Sequence, residues 1–184
     1  MAFKIFITII LYSTCLFSNT NQITITTDDT YRYIKANGIP NHATGEFPNR
    51  YNPNQISEQM YDLKVPLHPT AASTITANHF NPFGIALNGI LFDAKTAEFW
   101  NNNRKSGWNY NAFTTRINLG LDENNAHVQP NGAYHYHGLP TGLLKELQAQ
   151  NQQTLIGYAA DGFPIYNNVI SSENGTSTLK SSYQ

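Results

Sequence analysis

The sequence predicts an all-β or mostly β fold: a single antiparallel β domain, sandwich or barrel-like, with one or two short helices. Three observations indicate this. Short apolar segments alternate with polar residues at a period of two, Asn-Gly or Asp-Gly pairs interrupt several of them, and one segment has helical periodicity. The chain of 184 residues suits one domain, and its 40% hydrophobic content is sufficient for a core.

The N-terminal segment, residues 1–20, is predicted to be a signal peptide. Lys4 supplies a positive start, and the apolar run over 5–17 that follows is too short for a membrane span. We therefore expect a secreted protein, extracellular or periplasmic, whose domain covers 21–184; the alternative is a buried N-terminal helix or strand. Cys15 is the single cysteine, so a metal site after cleavage would use histidine, carboxylate, amide or tyrosine ligands.

The first half of the domain is predicted to contain a strand, a long loop and a hairpin. Residues 22–36 alternate in the β manner, whereas 39–70 carry five prolines and no sustained period. Residues 83–94 are predicted to form a hairpin around Asn88-Gly89, the pair that a type I′ turn favours. A helical turn is expected over 94–100.

The second half is predicted to contain a further strand, the main helix and another hairpin. The aromatic, mixed segment 107–121 is expected to be a strand, and 141–153 a helix that Thr141 caps. Residues 155–167 are expected to form a hairpin around an Asp-Gly pair. Pro164 would confine its second strand to a sheet edge or a bulge, because proline donates no backbone hydrogen bond.

The stretch NNAHVQPNGAYHYHG, residues 124–138, is predicted to be a hairpin that carries three histidines. Pro130-Asn131-Gly132 fits a three-residue loop, with proline at the second position of a type I turn and glycine in the left-handed conformation. This loop pairs His127 with His135. A two-residue Asn-Gly loop is the alternative, and it would instead place His127 on the opposite face from His135.

In the three-residue register, the hairpin has one apolar, aromatic face and one imidazole face, because side chains alternate along a strand. The apolar face comprises Ala126, Val128, Tyr134 and Tyr136. The other face carries His127, His135 and His137, whose ring nitrogens can converge on one ion at the 2.0–2.1 Å typical of a Zn–N bond. The pattern predicts a transition-metal site, with copper or zinc favoured; the alternative is an exposed polar face. Metal affinity is expected to fall below about pH 6–7, because the ligating imidazoles must be neutral.

The remaining features exclude some functions and leave others open. A formal net charge of -1 gives no basic patch for nucleic acid, and no segment beyond the N-terminus is long and apolar enough to span a membrane. We expect His42, His68 and His79 to be surface or hydrogen-bonding histidines. No catalytic motif or convincing general base is apparent. A metal-dependent enzyme, hydrolytic or oxidative, and a metal-free extracellular module for glycan or protein remain alternatives.

The segments NPFGIALNGILFDA, HVQPNGAYHYHGLPTGL and LIGYAADGFPIYN resemble the YHYH family of secreted proteins, over roughly residues 45–184. The family name repeats the motif Tyr134–His137. The resemblance implies an exported protein whose histidines are suspected of binding metal, and it implies no particular reaction. Members of that family usually continue beyond the region that resembles 179–184, so we expect a C-terminally incomplete domain whose tail, 170–184, is poorly ordered.

Overall fold

The computed structural model describes residues 20–76, 82–149, 151–173 and 175–180. All but the last residue of the predicted signal peptide, and also His79, lie outside these ranges. Within them the chain is mostly β, as predicted, with eleven strands, one α-helix and two short 3-10 turns at Trp100–Asn102 and Arg104–Ser106. The elements are β1 (Ile23–Thr27), β2 (Tyr31–Ala36), β3 (Tyr61–Pro66), β4 (Gly84–Ala86), β5 (Leu91–Phe92), β6 (Ala126–Val128), β7 (Tyr134–Tyr136), α1 (Thr141–Glu146), β8 (Leu155–Ala159), β9 (Pro164–Tyr166), β10 (Val169–Ser172) and β11 (Gly175–Thr178).

The strands form three sheets. β1, β2 and β3 make an antiparallel three-stranded sheet, and β10 and β11 pair as a separate hairpin. A six-stranded sheet has the order β6-β7-β5-β4-β8-β9, with β5 and β7 parallel and its other neighbours antiparallel. In the described part of the chain β6 and β9 remain at the edges, so the sheet is not a closed barrel. Ile34 and Val65 of the first sheet cluster with Ile85 of the second, which packs the two sheets together.

The larger core lies beneath the histidine hairpin. Its apolar face is buried as predicted, with Ala126, Val128, Tyr134 and Tyr136 each at most 1% exposed. These side chains cluster with α1, which contributes Leu143 and Leu144, and with neighbouring strands of the six-stranded sheet. Because full burial of a leucine side chain contributes about 1.5–3 kcal/mol, this contact fixes which face of the hairpin points inward.

Three hairpins of the six-stranded sheet share one loop design. Leu87–Gly89, Pro130–Gly132 and Ala160–Gly162 are three-residue loops, in which the glycine N–H donates to the carbonyl three residues earlier at 2.8–2.9 Å. The glycines have φ of +81°, +83° and +94°. The type I′ turn predicted at Asn88-Gly89 is therefore wrong: Leu87 takes the first loop position, and only the glycine needs a positive φ.

Several sequence-based boundaries are also wrong. Residues 22–36 form two strands because Asp28 ends the first: its Oδ1 accepts the backbone N–H of Thr30 and of Tyr31 at 2.8 and 2.7 Å. The predicted loop over 39–70 contains β3. No strand forms over 107–121, where one isolated bridge joins Asn109 to Phe99.

The predicted helix over 141–153 is shorter and begins differently. α1 ends at Glu146, and Pro140 occupies its N-cap position without a capping side chain. Thr141 is inside the helix, and its hydroxyl donates instead to the Glu123 carbonyl at 2.7 Å. The helical turn expected over 94–100 is reduced to the 3-10 turn at Trp100–Asn102.

The C-terminal elements are partly as predicted. The hairpin over 155–167 forms, and β9, which begins at Pro164, lies at a sheet edge as the proline requires. The expectation of poor order over 170–184 is wrong for the described residues, because β10 and β11 pair from Val169↔Thr178 to Ser172↔Gly175. None of the described helices is long and apolar enough to cross a membrane.

We expect Gly132→Ala to destabilise the protein more than Gly107→Ala. Both glycines have positive φ, +83° and +73°, so either alanine carries backbone strain of about 1–2 kcal/mol. A Cβ at Gly132 would also lie 2.9 Å from Ser57 Cβ, whereas at Gly107 nothing lies within 4 Å. The extra loss should be about 1–3 kcal/mol, measured by urea unfolding. Equal losses in the two variants would contradict the assigned loop geometry.

Candidate metal centre

The hairpin register brings the three histidines to one face. β6 and β7 pair as Ala126↔Tyr136, His127↔His135 and Val128↔Tyr134. The N–H of Gln129 donates to the Ala133 carbonyl at 2.9 Å, and the N–H of His137 donates to the Asn125 carbonyl at 2.8 Å. The three-residue loop is therefore confirmed, and the two-residue alternative is wrong.

The imidazole rings of His127, His135 and His137 form a nearly equilateral triangle. Their ring centroids are 4.6, 4.9 and 4.8 Å apart, and one ring nitrogen from each lies within 4.8 Å of the others. Nε2 of His135 is 3.0 Å from Nε2 of His137. Two nitrogens bound tetrahedrally to one zinc ion are ~3.3 Å apart, given Zn–N bonds of about 2.0–2.1 Å. These two atoms thus already have nearly the spacing of metal ligands.

Backbone carbonyls orient two of the rings. Nδ1 of His127 lies 3.0 Å from the Leu119 carbonyl, and Nδ1 of His135 lies 3.2 Å from the Ala133 carbonyl. A carbonyl only accepts, so we assign the proton to Nδ1 in both rings, which leaves each Nε2 with a free lone pair. Asn52 Nδ2 is also 3.0 Å from His127 Nδ1, but its amide donates to the Val128 carbonyl at 2.9 Å. Metal-binding histidines are commonly held in this way.

His137 is incompletely satisfied. Its Nδ1 is buried and forms no hydrogen bond of standard geometry. When Nε2 of His137 donates to Nε2 of His135, Nδ1 becomes an acceptor without a donor, an arrangement that costs about 1–3 kcal/mol. An ion held by both Nε2 atoms would move the proton to Nδ1. The Ala94 carbonyl, close enough to raise the pKa of His137, is the acceptor available there, so the residues present fit a bound cation.

The electrostatics keep the rings neutral. Burial, together with the charge on neighbouring imidazoles, lowers the pKa of His135 to about 3 and that of His137 to about 4. Burial also lowers the pKa of His127, although the Leu119 carbonyl and the carboxylate of Glu98 act in the opposite direction. All three side chains are therefore neutral at pH 7, which is the form that binds metal.

A pocket of about 250 Å³ opens over the histidine cluster. His127 and His137 line it together with Tyr51, Asn52 and Glu98, while His135 is only 2% exposed. Sequence analysis missed Asn52 and Glu98. Asn52 lies in a segment predicted as loop, and it contacts His127, which is 75 residues further along the chain. A local sequence pattern cannot predict a contact between residues so far apart.

The two other histidines that the structure describes lie away from this cluster. His42 is beneath the opposite face of the hairpin, where its Nε2 accepts the Tyr136 hydroxyl at 2.6 Å and its Nδ1 donates to the Ala43 carbonyl at 2.9 Å. His68 is exposed. Both fit the predicted surface or hydrogen-bonding roles.

The comparisons with known proteins identify the family. A family model described as YHYH protein matches residues 62–184. The chain belongs to the YHYH family. Neither a search of curated proteins nor a search of solved structures gave a match. In this YHYH chain the motif Tyr134–His137 occupies β7 and the residue after it. Its tyrosines enter the core, His137 lines the pocket, and His135 is buried beside His137.

We expect the metal-free protein to lose stability as the pH falls below about 6.5. The pKa values of His135 and His137 are lowered in the folded state, so the unfolded chain binds protons that the folded chain does not, and acid favours unfolding. Between pH 6.5 and 4.5 each histidine contributes a loss of up to about 2–3 kcal/mol. Urea unfolding in the presence of a chelator measures it.

A matched pair of variants separates this effect from general acid sensitivity. His135→Gln should reduce the loss between pH 6.5 and 4.5, because the side chain no longer titrates. His68→Gln, at an exposed histidine, should leave the loss unchanged. If the difference in unfolding free energy between wild type and His135→Gln is the same at both pH values, titration of His135 does not cause the loss of stability.

Proposed function

We infer that this protein is a secreted metal-binding protein, extracellular or periplasmic, that holds copper or zinc through His127, His135 and His137. One observation carries the proposal: three neutral imidazoles converge, with one ring nitrogen from each within 4.8 Å of the others. Nothing else in the described part of the chain combines ligand type, spacing and burial in this manner.

The burial of these rings supports a ligand role over an ordinary polar cluster. A buried polar group costs free energy unless it is hydrogen-bonded, and buried side-chain atoms without a partner are uncommon. Here the hairpin concentrates three imidazoles, and one of their nitrogens, Nδ1 of His137, lacks a partner. A divalent cation would replace the contact between two Nε2 atoms by coordinate bonds, and it would remove this deficit.

The donor set favours copper or zinc. Imidazole suits both ions, and the single cysteine of this sequence lies in the predicted signal peptide, so residues 21–184 supply no thiolate. Three histidines with a fourth position open are a known arrangement for zinc. Copper(II) binds nitrogen donors more tightly than zinc does, by the Irving–Williams order, so the metal supply during secretion would decide between the two ions.

A metal-dependent enzyme is a second candidate, and the pocket is the observation that favours it. A bound cation would face a space of about 250 Å³ that Glu98 also lines, and the charge of Glu98 acts on His127. Glu98 is a carboxylate that the sequence alone did not single out. A cation at such a site supplies Lewis acidity. Loss of turnover in Glu98→Gln with unchanged metal content would distinguish this enzyme from a protein that only carries metal.

We expect the full-length protein to bind about one equivalent of Cu(II) or Zn(II), and each of His127→Ala, His135→Ala and His137→Ala to bind much more weakly. Loss of one of the three histidines removes a coordinate bond and leaves only two imidazoles to hold the ion. Elemental analysis after gel filtration and isothermal titration calorimetry measure stoichiometry and affinity. Binding should also raise the melting temperature in wild type, as ligand binding to the folded state requires.

The control for these variants is His68→Ala, which removes an exposed histidine. It should retain wild-type stoichiometry, affinity and thermal shift. Circular dichroism should show that all four variants fold. Undiminished binding in a folded triple variant lacking His127, His135 and His137 would rule out the site.

Metal retention should persist to about pH 5 and decline between pH 5 and 3. The sequence alone predicts a decline at pH 6–7, but burial lowers the pKa of His135 to about 3 and that of His137 to about 4, so protons compete with the ion only at lower pH. Dialysis at stepped pH followed by elemental analysis gives the curve. A midpoint of metal retention above pH 6 would contradict the lowered pKa values and would mean that the ligating imidazoles are exposed to solvent.

A further inference from the structure

We propose that the pocket over the histidine cluster and the aromatic loop beside it form a binding surface for a neutral oligosaccharide. The surface is defined here by the pocket residues Tyr51, Asn54, Glu98 and Gln129 and by the loop tryptophans Trp100 and Trp108. It does not depend on a bound metal, since none of these side chains belongs to the histidine cluster.

Three exposed aromatic residues lie in the pocket wall or in the loop that continues from it. Tyr51, in the pocket wall, is 51% exposed, while Trp100 and Trp108 are 47% and 73% exposed. Large aromatic side chains are usually buried, and apolar surface gathered in one place marks an interaction site. A ring face that is open to water can stack on the C–H face of a sugar, while the polar edge of tyrosine or tryptophan remains hydrated. For Tyr51 this is the face opposite the Arg50 guanidinium, whose Cζ lies 5.3 Å from the ring centroid.

The loop that carries the tryptophans is anchored at the pocket. The Thr96 hydroxyl donates to the Tyr110 carbonyl at 2.7 Å, and the N–H of Tyr110 donates to the Glu98 carbonyl at 2.8 Å. Further along, the N–H of Trp100 donates to the Trp108 carbonyl at 2.9 Å. The segment thus folds back on itself, with its base lining the pocket and its tryptophans two residues or more beyond that base. Backbone hydrogen bonds therefore hold the main chain of Trp100 and Trp108 close to the segment that lines the cavity.

The polar groups of the pocket match hydroxyl groups better than charges. Its lining includes the amides of Asn52, Asn54 and Gln129, and it carries one lysine and one glutamate, whose charges balance. Amide and carboxylate oxygens accept hydrogen bonds from sugar hydroxyls, and amide N–H groups donate to them. Small pockets with a few convergent polar groups and apolar walls are typical of small-ligand sites. A neutral sugar unit in the pocket, extended over the tryptophans, satisfies both parts of the surface.

Tryptophan fluorescence and isothermal titration calorimetry test the proposal on the full-length protein. The probes are cellohexaose, chitohexaose and maltohexaose at concentrations up to the millimolar range, each with metal-free and with zinc-loaded protein. At least one should bind and change the tryptophan emission. Tyr51→Ala and Trp108→Ala should each weaken that binding at least about 5-fold, as the loss of an aromatic contact does at binding hot spots.

Tyr166→Ala is the matched control. Tyr166 is 47% exposed but lies on β9, at the opposite edge of the six-stranded sheet from the histidine hairpin, and its loss should leave sugar affinity unchanged. Sugar binding is measured with metal-free as well as with zinc-loaded protein, so failure of the metal site and failure of this proposal give different results. Absence of binding to all three probes, or binding that Tyr51→Ala and Trp108→Ala do not weaken, overturns the proposal. A response to a neutral Gly-Ser-Pro repeat peptide without any response to sugars would assign the surface to a protein partner and also overturn it.

Discussion

The structure depends on the register that the loop Pro130–Gly132 imposes on the hairpin β6–β7. A slip of one residue would exchange the two faces of a strand, sending the imidazoles into the core and the tyrosine rings into the pocket. Proline presets the first loop residue, and glycine accepts the φ of +83° that closes it. Burial of the apolar face enforces the same register, because Tyr134 and Tyr136 are fully buried against α1 and the six-stranded sheet. Local turn chemistry and long-range packing thus agree on one arrangement.

The tyrosine face also anchors the hairpin through polar contacts. The Tyr134 hydroxyl donates to Asp122 at 2.6 Å, and the Tyr136 hydroxyl donates to Nε2 of His42 at 2.6 Å while it accepts from the Asn88 amide at 2.9 Å. These partners come from three separate segments of the chain. A satisfied buried network of this kind rigidifies its surroundings. The groups on the tyrosine face therefore fix the backbone of the hairpin, and with it the positions of the histidines on the opposite face.

Sequence alone predicted the parts of this site that local chemistry determines. The three histidines, their shared face and the buried tyrosines follow from one loop and the alternation of a strand. What sequence missed is set by contacts between distant segments: Asn52 and Glu98 reach the pocket from regions without a recognisable pattern. β3 was also missed, because the charged residues of its outer face and the surrounding prolines obscure its alternation. The helix was predicted too long because Gln148 adopts a positive φ of +52° and the chain turns there, although Leu147 and Ala149 still pack on the core.

The same architecture explains why a bound metal would be an addition to the folded chain and would not be required for folding. In a small zinc domain the ion replaces a core, and the chain unfolds without it. Here the apolar cluster beneath the hairpin, the backbone ladder of β6 and β7 and the tyrosine network are all formed by the chain itself. The histidines are consequently preorganised, with two candidate ligand nitrogens 3.0 Å apart, and little conformational entropy would be lost if an ion were bound. A cation bound by the histidines would have the imidazoles on one side and the pocket on the other. Its remaining coordination positions would be open to ligands from solvent.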